Sequence, residues 1–395
     1  MRALTWQGIR NVAVRDVQDP VIEQPTDAII RVTSTAICGS DLHLYNVLAP
    51  YLQPGDVLGH EFMGIVEEVG SGAAARLKVG DRVVVPFGIA CGQCWMCERE
   101  LYAQCETTQN TDQGTGARLF GYTSLYGAVP GGQAEFVRVP HADFGPVVLP
   151  EGGSDDRFLY LSDILPTAWQ GVAWADVPPG GSLAVLGLGP VGQLAVRAGL
   201  YRGAGEVIAV DLVDERLARA REMGARVIDL REVDDVGQAI RDLTSGRGAD
   251  SVVDAVGMEA HGNPVAKRVI SAASRLPKPL GRAAVEHAGI DRLDALHTAI
   301  DAVRRGGTVS VVGVYGGAID PMPLMEIFDK GITMRFGQCH VRRWTDELLE
   351  IVSRDEDVFG LESLATHHVP LEQAPEMYEL FATKEDGCQK VVLHP

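Results

Sequence analysis

Short apolar runs rich in β-branched residues recur along the first 150 residues of the chain. We predict strands at four of them: Ile29–Thr33, Gly64–Val69, Arg82–Val85 and Phe136–Val139. Glycine, proline and aspartate separate the runs, as they do between the short strands of all-β domains. The pattern therefore predicts an antiparallel, barrel-like domain in this part of the chain.

Near Leu165 the pattern changes, and apolar strands begin to alternate with helical segments. The predicted strands are Ser182–Leu186, Glu206–Val210, Arg226–Ile228, Ser251–Val256 and Thr308–Val314, and helices are predicted up to about Arg202 and over Asp214–Met223. Strand–helix alternation of this kind builds a parallel sheet with helices on both faces. We therefore expect a doubly wound α/β domain over residues 165–338.

Two further segments complete the predicted organisation. Residues 259–305 are long for a crossover connection, and we expect a surface excursion whose second half is helical. The chain then ends with helices, the first over Trp344–Ile351, and a strand at Lys390–Leu393. We expect residues 339–395 to complete the first domain, which otherwise covers residues 1–164.

Composition agrees with two soluble domains and excludes some partners. The 395 residues are 46% hydrophobic and 22% charged, and the net charge of −18 disfavours binding to nucleic-acid phosphates or to anionic membranes. No run approaches the roughly 18 apolar residues that a membrane span needs. The N-terminus lacks the apolar segment of a secretory signal, so we expect a cytoplasmic protein that binds neither nucleic acid nor membrane.

A glycine-rich motif follows the first predicted strand of the second domain and opens a helix. Its members are Gly187, Gly189, Pro190, Val191 and Gly192. In this context the first glycine permits a tight turn, the second lets the backbone approach a pyrophosphate, and the third lets the helix pack on the strand. The N-terminus of the helix also offers free N–H groups to a phosphate. The motif therefore predicts a dinucleotide site.

Asp211 ends the next predicted strand, nineteen residues after Gly192. A carboxylate at this point accepts hydrogen bonds from the adenosine ribose and repels a 2′-phosphate, so we expect NAD rather than NADP. The alternative is that Asp211 only caps a turn. Arg216 follows closely, where an arginine can sit beside the adenine, and we include it among the cofactor-binding residues.

Four of the seven cysteines fall within fifteen residues, at Cys91, Cys94, Cys97 and Cys105. Four thiolates at such intervals can surround a zinc ion from a single loop, which leaves no open position for a substrate. In a reducing compartment this clustering favours metal over disulfides or free thiols. We predict a structural zinc site.

A second candidate metal site involves Cys38 and His60. A catalytic zinc takes about three protein ligands and keeps one position open for substrate. Cys38 and His60 supply one thiolate and one imidazole. From the residues alone the third ligand is open, because any later Cys, Asp or Glu could supply it.

Together these motifs resemble the zinc-containing medium-chain alcohol dehydrogenases over essentially the whole chain. The zinc signature of that family is matched by Gly59–Gly64, Gly70 and Ala73, and the cysteine and glycine motifs follow in the same order. Within the family the chain is most similar to glutathione-independent formaldehyde dehydrogenases. The segments that carry this similarity are Pro86–Cys97, Gly131–Glu135, Leu161–Thr167 and Asp254–Gly262. The resemblance implies a GroES-like barrel-type catalytic domain and a Rossmann domain, with a cleft between them.

The resemblance also implies the ligands of the catalytic zinc. Cys38, His60 and Asp163 would bind the ion, with Glu61 as a carboxylate that replaces or joins Asp163. Asp41 would hydrogen-bond the zinc-bound imidazole and fix its tautomer.

Further roles implied by the resemblance concern the proton and the cofactor. Ser40 would accept the proton of the substrate alcohol, and His43 would pass it towards solvent. Thr167, Val312 and Val314 match positions around the nicotinamide.

The resemblance implies an NAD-dependent oxidoreductase with two zinc ions per chain that acts on a small alcohol or aldehyde. Formaldehyde is one candidate substrate. Threonine, polyol and other secondary-alcohol dehydrogenases share much of the pattern and form the main alternative. A non-catalytic nucleotide-binding protein is the third hypothesis for the function. We expect a homo-oligomer, either a dimer or a tetramer.

Overall fold

The computed structural model describes residues 1–257, 293–315 and 322–395 of the chain. The chain separates into two compact units. The first unit combines Met1–Pro166 with Cys339–Pro395, and the second is Thr167–Gln338.

The described strands and helices are as follows in chain order. The strands are β1 (Arg2–Gly8), β2 (Asn11–Asp16), β3 (Ala28–Ile37), β4 (Glu61–Val69), β5 (Arg82–Val85), β6 (Phe136–Val139), β7 (Val147–Val148), β8 (Ser182–Leu186), β9 (Glu206–Asp211), β10 (Arg226–Asp229), β11 (Ala249–Asp254), β12 (Val303–Val311), β13 (Thr333–Phe336), β14 (His367–Pro370) and β15 (Val391–His394). The helices are α1 (Asp41–Asn46), α2 (Asp155–Leu159), α3 (Ile164–Ala175), α4 (Pro190–Tyr201), α5 (Asp214–Glu222), α6 (Val236–Leu243), α7 (Asp294–Ala302), α8 (Leu324–Lys330), α9 (Val341–Val352) and α10 (Ala374–Thr383).

The first unit is built on a seven-stranded sheet in the order β14-β15-β3-β4-β5-β7, with β6 paired to β3, and β1 and β2 form a separate hairpin. Most neighbours are antiparallel, as predicted, but β14 and β15 are parallel. The C-terminal strand β15 pairs with β3, so residues from the end of the chain lie beside the strand that leads to Cys38. The sheet therefore joins the two ends of the sequence in one unit.

Strand β3 holds the centre of the first unit. It pairs with β4 along nearly its whole length, and register shifts after Ile29 and Val32 bend both strands. Its inward side chains pack with Phe62, Phe120 and other apolar residues in a buried cluster. Gly64 of β4 passes so close that a Cβ there would lie 2.0 Å from the Arg31 carbonyl oxygen. Close packing of these two strands thus fixes where each of them ends.

The second unit is a six-stranded parallel sheet in the order β10-β9-β8-β11-β12-β13. This is the strand order of a doubly wound dinucleotide-binding sheet, whose direction of winding reverses between its first and fourth strands, here β8 and β11. Buried residues of the strands pack with Ile240 of α6 and with Leu296 and Ile300 of α7. The predicted parallel fold is confirmed.

Two strands of this sheet end earlier than the hydrophobic pattern predicted. Strand β11 ends at Asp254 rather than at Val256, and β12 ends at Val311 rather than at Val314. The reason is a change of hydrogen-bond partner. The N–H groups of Val256 and Gly257 bond Asp254 Oδ1, and the Gly313 N–H shares the Asp254 carbonyl oxygen with the Val312 N–H, so the ladder stops here. Apolar residues beyond these points belong to loops.

Other expectations were incomplete. Strand β12 begins at Val303, inside the predicted excursion 259–305, and α7 supplies the predicted helix just before it. The remainder of that excursion lies mainly outside the described residues. The hairpin β1–β2 and the short strands β7, β13 and β14 were not predicted, because runs of so few apolar residues carry little periodicity. In the described part of the chain, no helix is long and apolar enough to cross a membrane.

Candidate metal centres and cofactor site

The pairing of β3 with β4 brings Cys38 and His60 together. Cys38 directly follows β3 and His60 directly precedes β4, and the two strands are antiparallel with Ala36 opposite Glu61. The end of one strand therefore meets the start of the other. Residues twenty-two positions apart in the sequence become neighbours through this register.

Asp163 reaches the same point from a different direction. It follows α2 and a short 3₁₀ turn, Tyr160–Ser162, and the Phe87 N–H anchors that turn by donating to the Ser162 carbonyl oxygen at 3.0 Å. Asp163 Oδ2 then lies 3.6 Å from Cys38 Sγ and 3.4 Å from His60 Nε2. The predicted third ligand is thus placed beside the other two.

These three side chains and Glu61 form a cluster of possible metal ligands, with one atom of each lying within 4.8 Å of the others. All four are buried. Burial, followed by the nearby carboxylates, raises the pKa of the Cys38 thiol to about 11. A cation at this point is needed to hold the thiol as thiolate at neutral pH. One sulfur, one imidazole nitrogen and carboxylate oxygen together form a donor set that suits zinc.

Asp41 lies behind His60. Its Oδ2 accepts the Cys38 N–H at 2.9 Å, and its Oδ1 lies 3.2 Å from His60 Nδ1, although the alignment falls short of a hydrogen bond. Burial alone would lower the pKa of His60, but the carboxylates of Asp41 and Asp163 outweigh it and raise that pKa well above its usual range. Asp41 therefore faces the imidazole, but the hydrogen bond that the resemblance implied is not formed in this geometry.

Glu61 forms an ion pair with a residue that belongs to no motif of the sequence. Its Oε1 accepts a hydrogen bond from Lys390 Nζ at 2.7 Å, and both side chains are completely buried. Lys390 immediately precedes β15, which pairs with β3. Motif analysis cannot connect Glu61 with a lysine 329 positions away. The one feature that could have drawn attention to Lys390 is its place at the start of a predicted C-terminal strand. This ion pair occupies Oε1, whereas Oε2 is buried and accepts no hydrogen bond within the described part of the chain.

Ser40 and His43 lie at the start of α1. Ser40 Oγ is 3.0 Å from His60 Nε2, so the hydroxyl is placed at the metal cluster. His43, which the resemblance implied as the next group to take the proton, is 6% exposed. The hydroxyl is therefore in place, whereas the imidazole is largely shielded from water in the described chain.

Two aromatic rings flank the His60 imidazole edge to face. The ring of Phe87 lies 6.3 Å and the ring of Tyr122 lies 6.2 Å from it, measured between centroids. Tyr122 was not selected from the sequence, because an isolated tyrosine in a loop carries no motif. Together the rings shield the metal cluster with large, rigid apolar surfaces.

The four cysteines Cys91, Cys94, Cys97 and Cys105 also converge. We call the segment that carries them, residues 91–105, the lobe. Their sulfur atoms lie within 4.8 Å of one another, and none forms a disulfide. Cys105 Sγ accepts the Cys91 N–H at 3.4 Å, and Cys94 Sγ accepts the Glu106 N–H at 3.4 Å. Although burial opposes it, backbone N–H groups lower the pKa of Cys94 to about 6. Four close sulfurs, two of which accept these backbone N–H bonds, fit a closed tetrahedral zinc site.

The C-terminal part of the first unit docks on this lobe through His340. Its Nδ1 accepts the Ala103 N–H at 3.1 Å. Burial, together with the charge of Arg343, lowers the pKa of His340 to about 4. The imidazole is therefore neutral over the physiological range.

In the second unit the glycine motif forms a tight turn between β8 and α4. Gly187 has φ +83°, and a Cβ on Gly192 would lie 1.8 Å from the Gly187 carbonyl oxygen. Gly189 caps α4, and Pro190 and Val191 open it. Side chains at either glycine would block the turn, which leaves open backbone at the helix N-terminus. This is the arrangement that a pyrophosphate requires.

Asp211 extends from the end of β9 over that turn. Its Oδ2 accepts the Leu188 N–H at 2.6 Å, and its Oδ1 accepts the N–H groups of Leu212 and Val213 at 2.7 and 3.0 Å. Arg216 Nη1 lies 3.8 Å from Oδ2. A carboxylate has about four acceptor positions, so one remains on Oδ2 for a ribose hydroxyl.

The three residues expected near the nicotinamide occupy separate elements. Thr167 lies on α3, whereas Val312 and Val314 follow the end of β12. A Cβ on Gly171 would lie 3.0 Å from Val312 Cγ1, so α3 packs closely on the loop after β12. Val314 is 42% exposed. The structure brings α3 and this loop together but does not test their contact with a cofactor.

Comparison with known proteins gives matches to two family models. The alcohol dehydrogenase GroES-like domain matches residues 24–150, and the zinc-binding dehydrogenase model matches residues 190–274. The matched segments fall in the first and second units, respectively.

Full-length relatives point the same way. The chain is 42% identical to the zinc-type alcohol dehydrogenase-like protein AdhB of Bacillus subtilis, over 100% of both chains. It is 33% identical to a glutathione-independent formaldehyde dehydrogenase of Pseudomonas aeruginosa, over 96% of this chain and 94% of that protein. Among solved structures, the alcohol dehydrogenase TADH from Thermus sp. ATN1 has a TM-score of 0.82 at 36% identity and covers 100% of this chain and 99% of that one.

Proposed function

The chain belongs to the zinc-containing medium-chain alcohol dehydrogenases, and we propose that within this family it transfers a hydride between NAD and a small alcohol or aldehyde. The observation that carries the proposal is the convergence of Cys38, His60 and Asp163 in one buried cluster. A thiolate, an imidazole and one carboxylate provide three ligands and leave a fourth position for a substrate oxygen.

The protein side of the reaction follows from the cluster. A bound zinc ion supplies Lewis acidity and NAD accepts or donates the hydride. Cys38, His60 and Asp163 would hold the ion, and Asp41 Oδ1 would orient the His60 ring from behind, where it lies 3.2 Å from Nδ1. Lys390 Nζ donates a hydrogen bond to Glu61 Oε1, so we propose Asp163 as the carboxylate ligand and Glu61 as a second carboxylate beside the ion that could replace it.

Proton movement is assigned to Ser40 and His43. Ser40 Oγ lies 3.0 Å from His60 Nε2, so its hydroxyl is beside a proposed ligand and can take a proton from the substrate oxygen. His43, three residues on in α1, is proposed to receive it next. Because His43 is only 6% exposed, release to solvent needs a further carrier, for which the cofactor ribose is the candidate.

The second zinc and the choice of cofactor are proposed from the remaining sites. The four cysteines of the lobe have no open position, so a zinc ion there would be structural. The Asp211 carboxylate at the glycine turn favours NAD, since a 2′-phosphate would be repelled. Two zinc ions and one NAD per chain follow, in a homo-oligomer of two or four subunits.

Among substrates we favour a small aldehyde or alcohol of the formaldehyde dehydrogenase type. The support is Asp163 at the metal cluster, the rings of Phe87 and Tyr122 beside it, and the similarity to the Pseudomonas enzyme. Large rings next to the ligands leave less room for a branched polyol than for a one- or two-carbon substrate.

The test combines metal analysis with an NAD-coupled substrate panel. We expect two zinc ions per chain, and NADH formation with formaldehyde or a short primary alcohol that is abolished in Cys38→Ser. Cys388→Ser is the matched control, since Cys388 is equally buried but is no part of either cysteine cluster. A marked preference for L-threonine or sorbitol would reject the substrate class, and full turnover in Cys38→Ser would reject the metal mechanism.

A further inference from the structure

A chain of buried hydrogen bonds runs from α10, near the C-terminus, to the residue behind His60. Tyr378 Oη donates to Gln133 Oε1 at 2.8 Å, and Gln133 Nε2 donates to Asp41 Oδ2 at 3.3 Å and to the Ala36 carbonyl oxygen at 3.1 Å. The side chains of Tyr378, Gln133 and Asp41 are all completely buried. We call these three residues the Tyr378 relay.

The relay defines the orientation of the Gln133 amide. Its nitrogen faces two acceptors and its oxygen faces a hydroxyl donor. A flipped amide would set the oxygen against two acceptors and the nitrogen against the tyrosine, with the donor to Asp41 lost. Burial raises the pKa of Tyr378 well above its usual range, so its hydroxyl remains a donor at every working pH.

Gln133 also packs directly on the backbone that precedes His60. A Cβ on Gly59 would lie 2.4 Å from Gln133 Cγ and 2.6 Å from its backbone nitrogen. The Gln133 N–H bonds the Leu58 carbonyl oxygen at 3.0 Å. The residue therefore contacts the His60 segment from one side and Asp41 from the other.

Asp41 is the point where the relay meets the metal cluster. Its Oδ2 accepts hydrogen bonds from Gln133 and from the Cys38 N–H, and its Oδ1 faces His60 Nδ1 at 3.2 Å. A buried carboxylate keeps its place only while its donors are present. Loss of the Gln133 donor would therefore loosen the contact that orients His60.

We propose that Gln133 and Tyr378 are positioning residues of the catalytic metal site, acting through Asp41 on His60. This rests on the proposed function, in that Cys38, His60 and Asp163 are taken to hold zinc. Neither residue touches the substrate or the metal. Their role is to keep Asp41 aligned, so their removal weakens zinc retention at this site and leaves the four-cysteine site unchanged.

The experiment follows zinc release from the purified full-length protein to a chromophoric chelator. Each chain carries its own internal reference, because the four-cysteine site shares no residue with the relay. Cys38→Ser identifies which release phase belongs to the catalytic site. The test variants are Tyr378→Phe and Gln133→Met. The matched control is Tyr45→Phe, whose ring lies 5.6 Å from that of Tyr378 but whose hydroxyl donates to Glu379 at 3.0 Å.

Loss of one hydrogen bond of the relay in Tyr378→Phe should speed zinc release from the catalytic site about fivefold. Gln133→Met removes the direct partner of Asp41 and should speed it about 10–100-fold, the usual effect of losing an outer-shell partner. Release from the four-cysteine site should stay at the wild-type rate in both variants. Tyr45→Phe should match the wild type at both sites.

Two results would overturn the proposal. One is release from the catalytic site in Tyr378→Phe at the rate of Tyr45→Phe. The other is equal acceleration at both sites, which would mean general loosening of the first unit. A wild-type chain with one zinc ion, unaffected by Cys38→Ser, would instead refute the proposed function and the relay with it. Tyr378→Phe removes a single atom, so it tests the idea even if Gln133→Met does not fold.

Discussion

The buried pair of Lys390 and Glu61 yields a prediction whose size can be worked from the structure. Both side chains are completely buried and lie 2.7 Å apart. At an effective dielectric constant of about 20 their attraction is about 6 kcal/mol. Lys390→Met removes the cation but also the cost of burying it, so the net loss should be about 3–5 kcal/mol, as for other broken buried pairs. Glu61 is then left as a buried carboxylate that has lost its hydrogen-bonded cation.

The assay is urea unfolding of the zinc-loaded protein, followed by circular dichroism, together with a thermal scan. For a unit of this size the loss corresponds to a midpoint lowered by roughly 6–20 °C. The double variant Glu61→Gln/Lys390→Met is the control, because removing both charges relieves the unpaired carboxylate and should recover most of the stability. A single variant within about 1 kcal/mol of wild type, or a double variant as unstable as the single one, would refute the reasoning.

Three further predictions concern other parts of the molecule. Folding lowers the pKa of His340 from about 6.5 to about 4, so the stability that depends on its neutral imidazole is complete above pH 6.5 and is lost as the pH falls towards 4. The free energy of unfolding of the wild type should therefore be about 2 kcal/mol lower at pH 5 than at pH 8 because of this residue. His340→Asn should abolish that difference, measured by unfolding at the two pH values. Asp211→Asn, which keeps an acceptor for the turn, should raise the ratio of NADP to NAD efficiency at least about tenfold in steady-state kinetics, and an unchanged ratio would contradict the cofactor assignment. Cys94→Ser should lower the zinc content from two ions to one and destabilise the lobe, whereas two retained ions would argue against the four-cysteine site.

Much of the second unit was predictable from local patterns. Parallel strands that are buried on both faces appear in the sequence as continuous apolar runs. The turn between β8 and α4 needs glycines at fixed positions, and these can be recognised within a few residues of sequence. The predicted bounds of β8 agree with the structure. The ends of β11 and β12 were predicted wrongly. The Asp254 side chain takes the N–H groups of Val256 and Gly257, and its carbonyl oxygen takes that of Gly313 as well as that of Val312. A hydrophobicity pattern contains no information about such hydrogen bonds.

The candidate sites divide in the same way. The spacing of the four cysteines is local, and it predicted a cluster that the structure assembles. Cys38 and His60 were selected with help from a family resemblance, and Asp163 depended on it entirely. The roles of Lys390, Tyr122, Gln133 and Tyr378 were missed, because each of these residues contacts its partner across a distance in sequence at which no pattern is visible.

The sequence by itself determined the class of fold, the four-cysteine site and the cofactor motif, because each depends on residue types at short intervals along the chain. The site at Cys38 and His60 needed the family resemblance as well. Only the tertiary structure decided which carboxylates meet the cluster and what supports them. The pairing of β15 with β3 brings Lys390 to Glu61, and the docking of α10 brings Tyr378 to Gln133. The physical reason is that a buried charge or amide must find its partner wherever the packed chain places one, and that place is set by strand register and helix packing rather than by proximity along the chain.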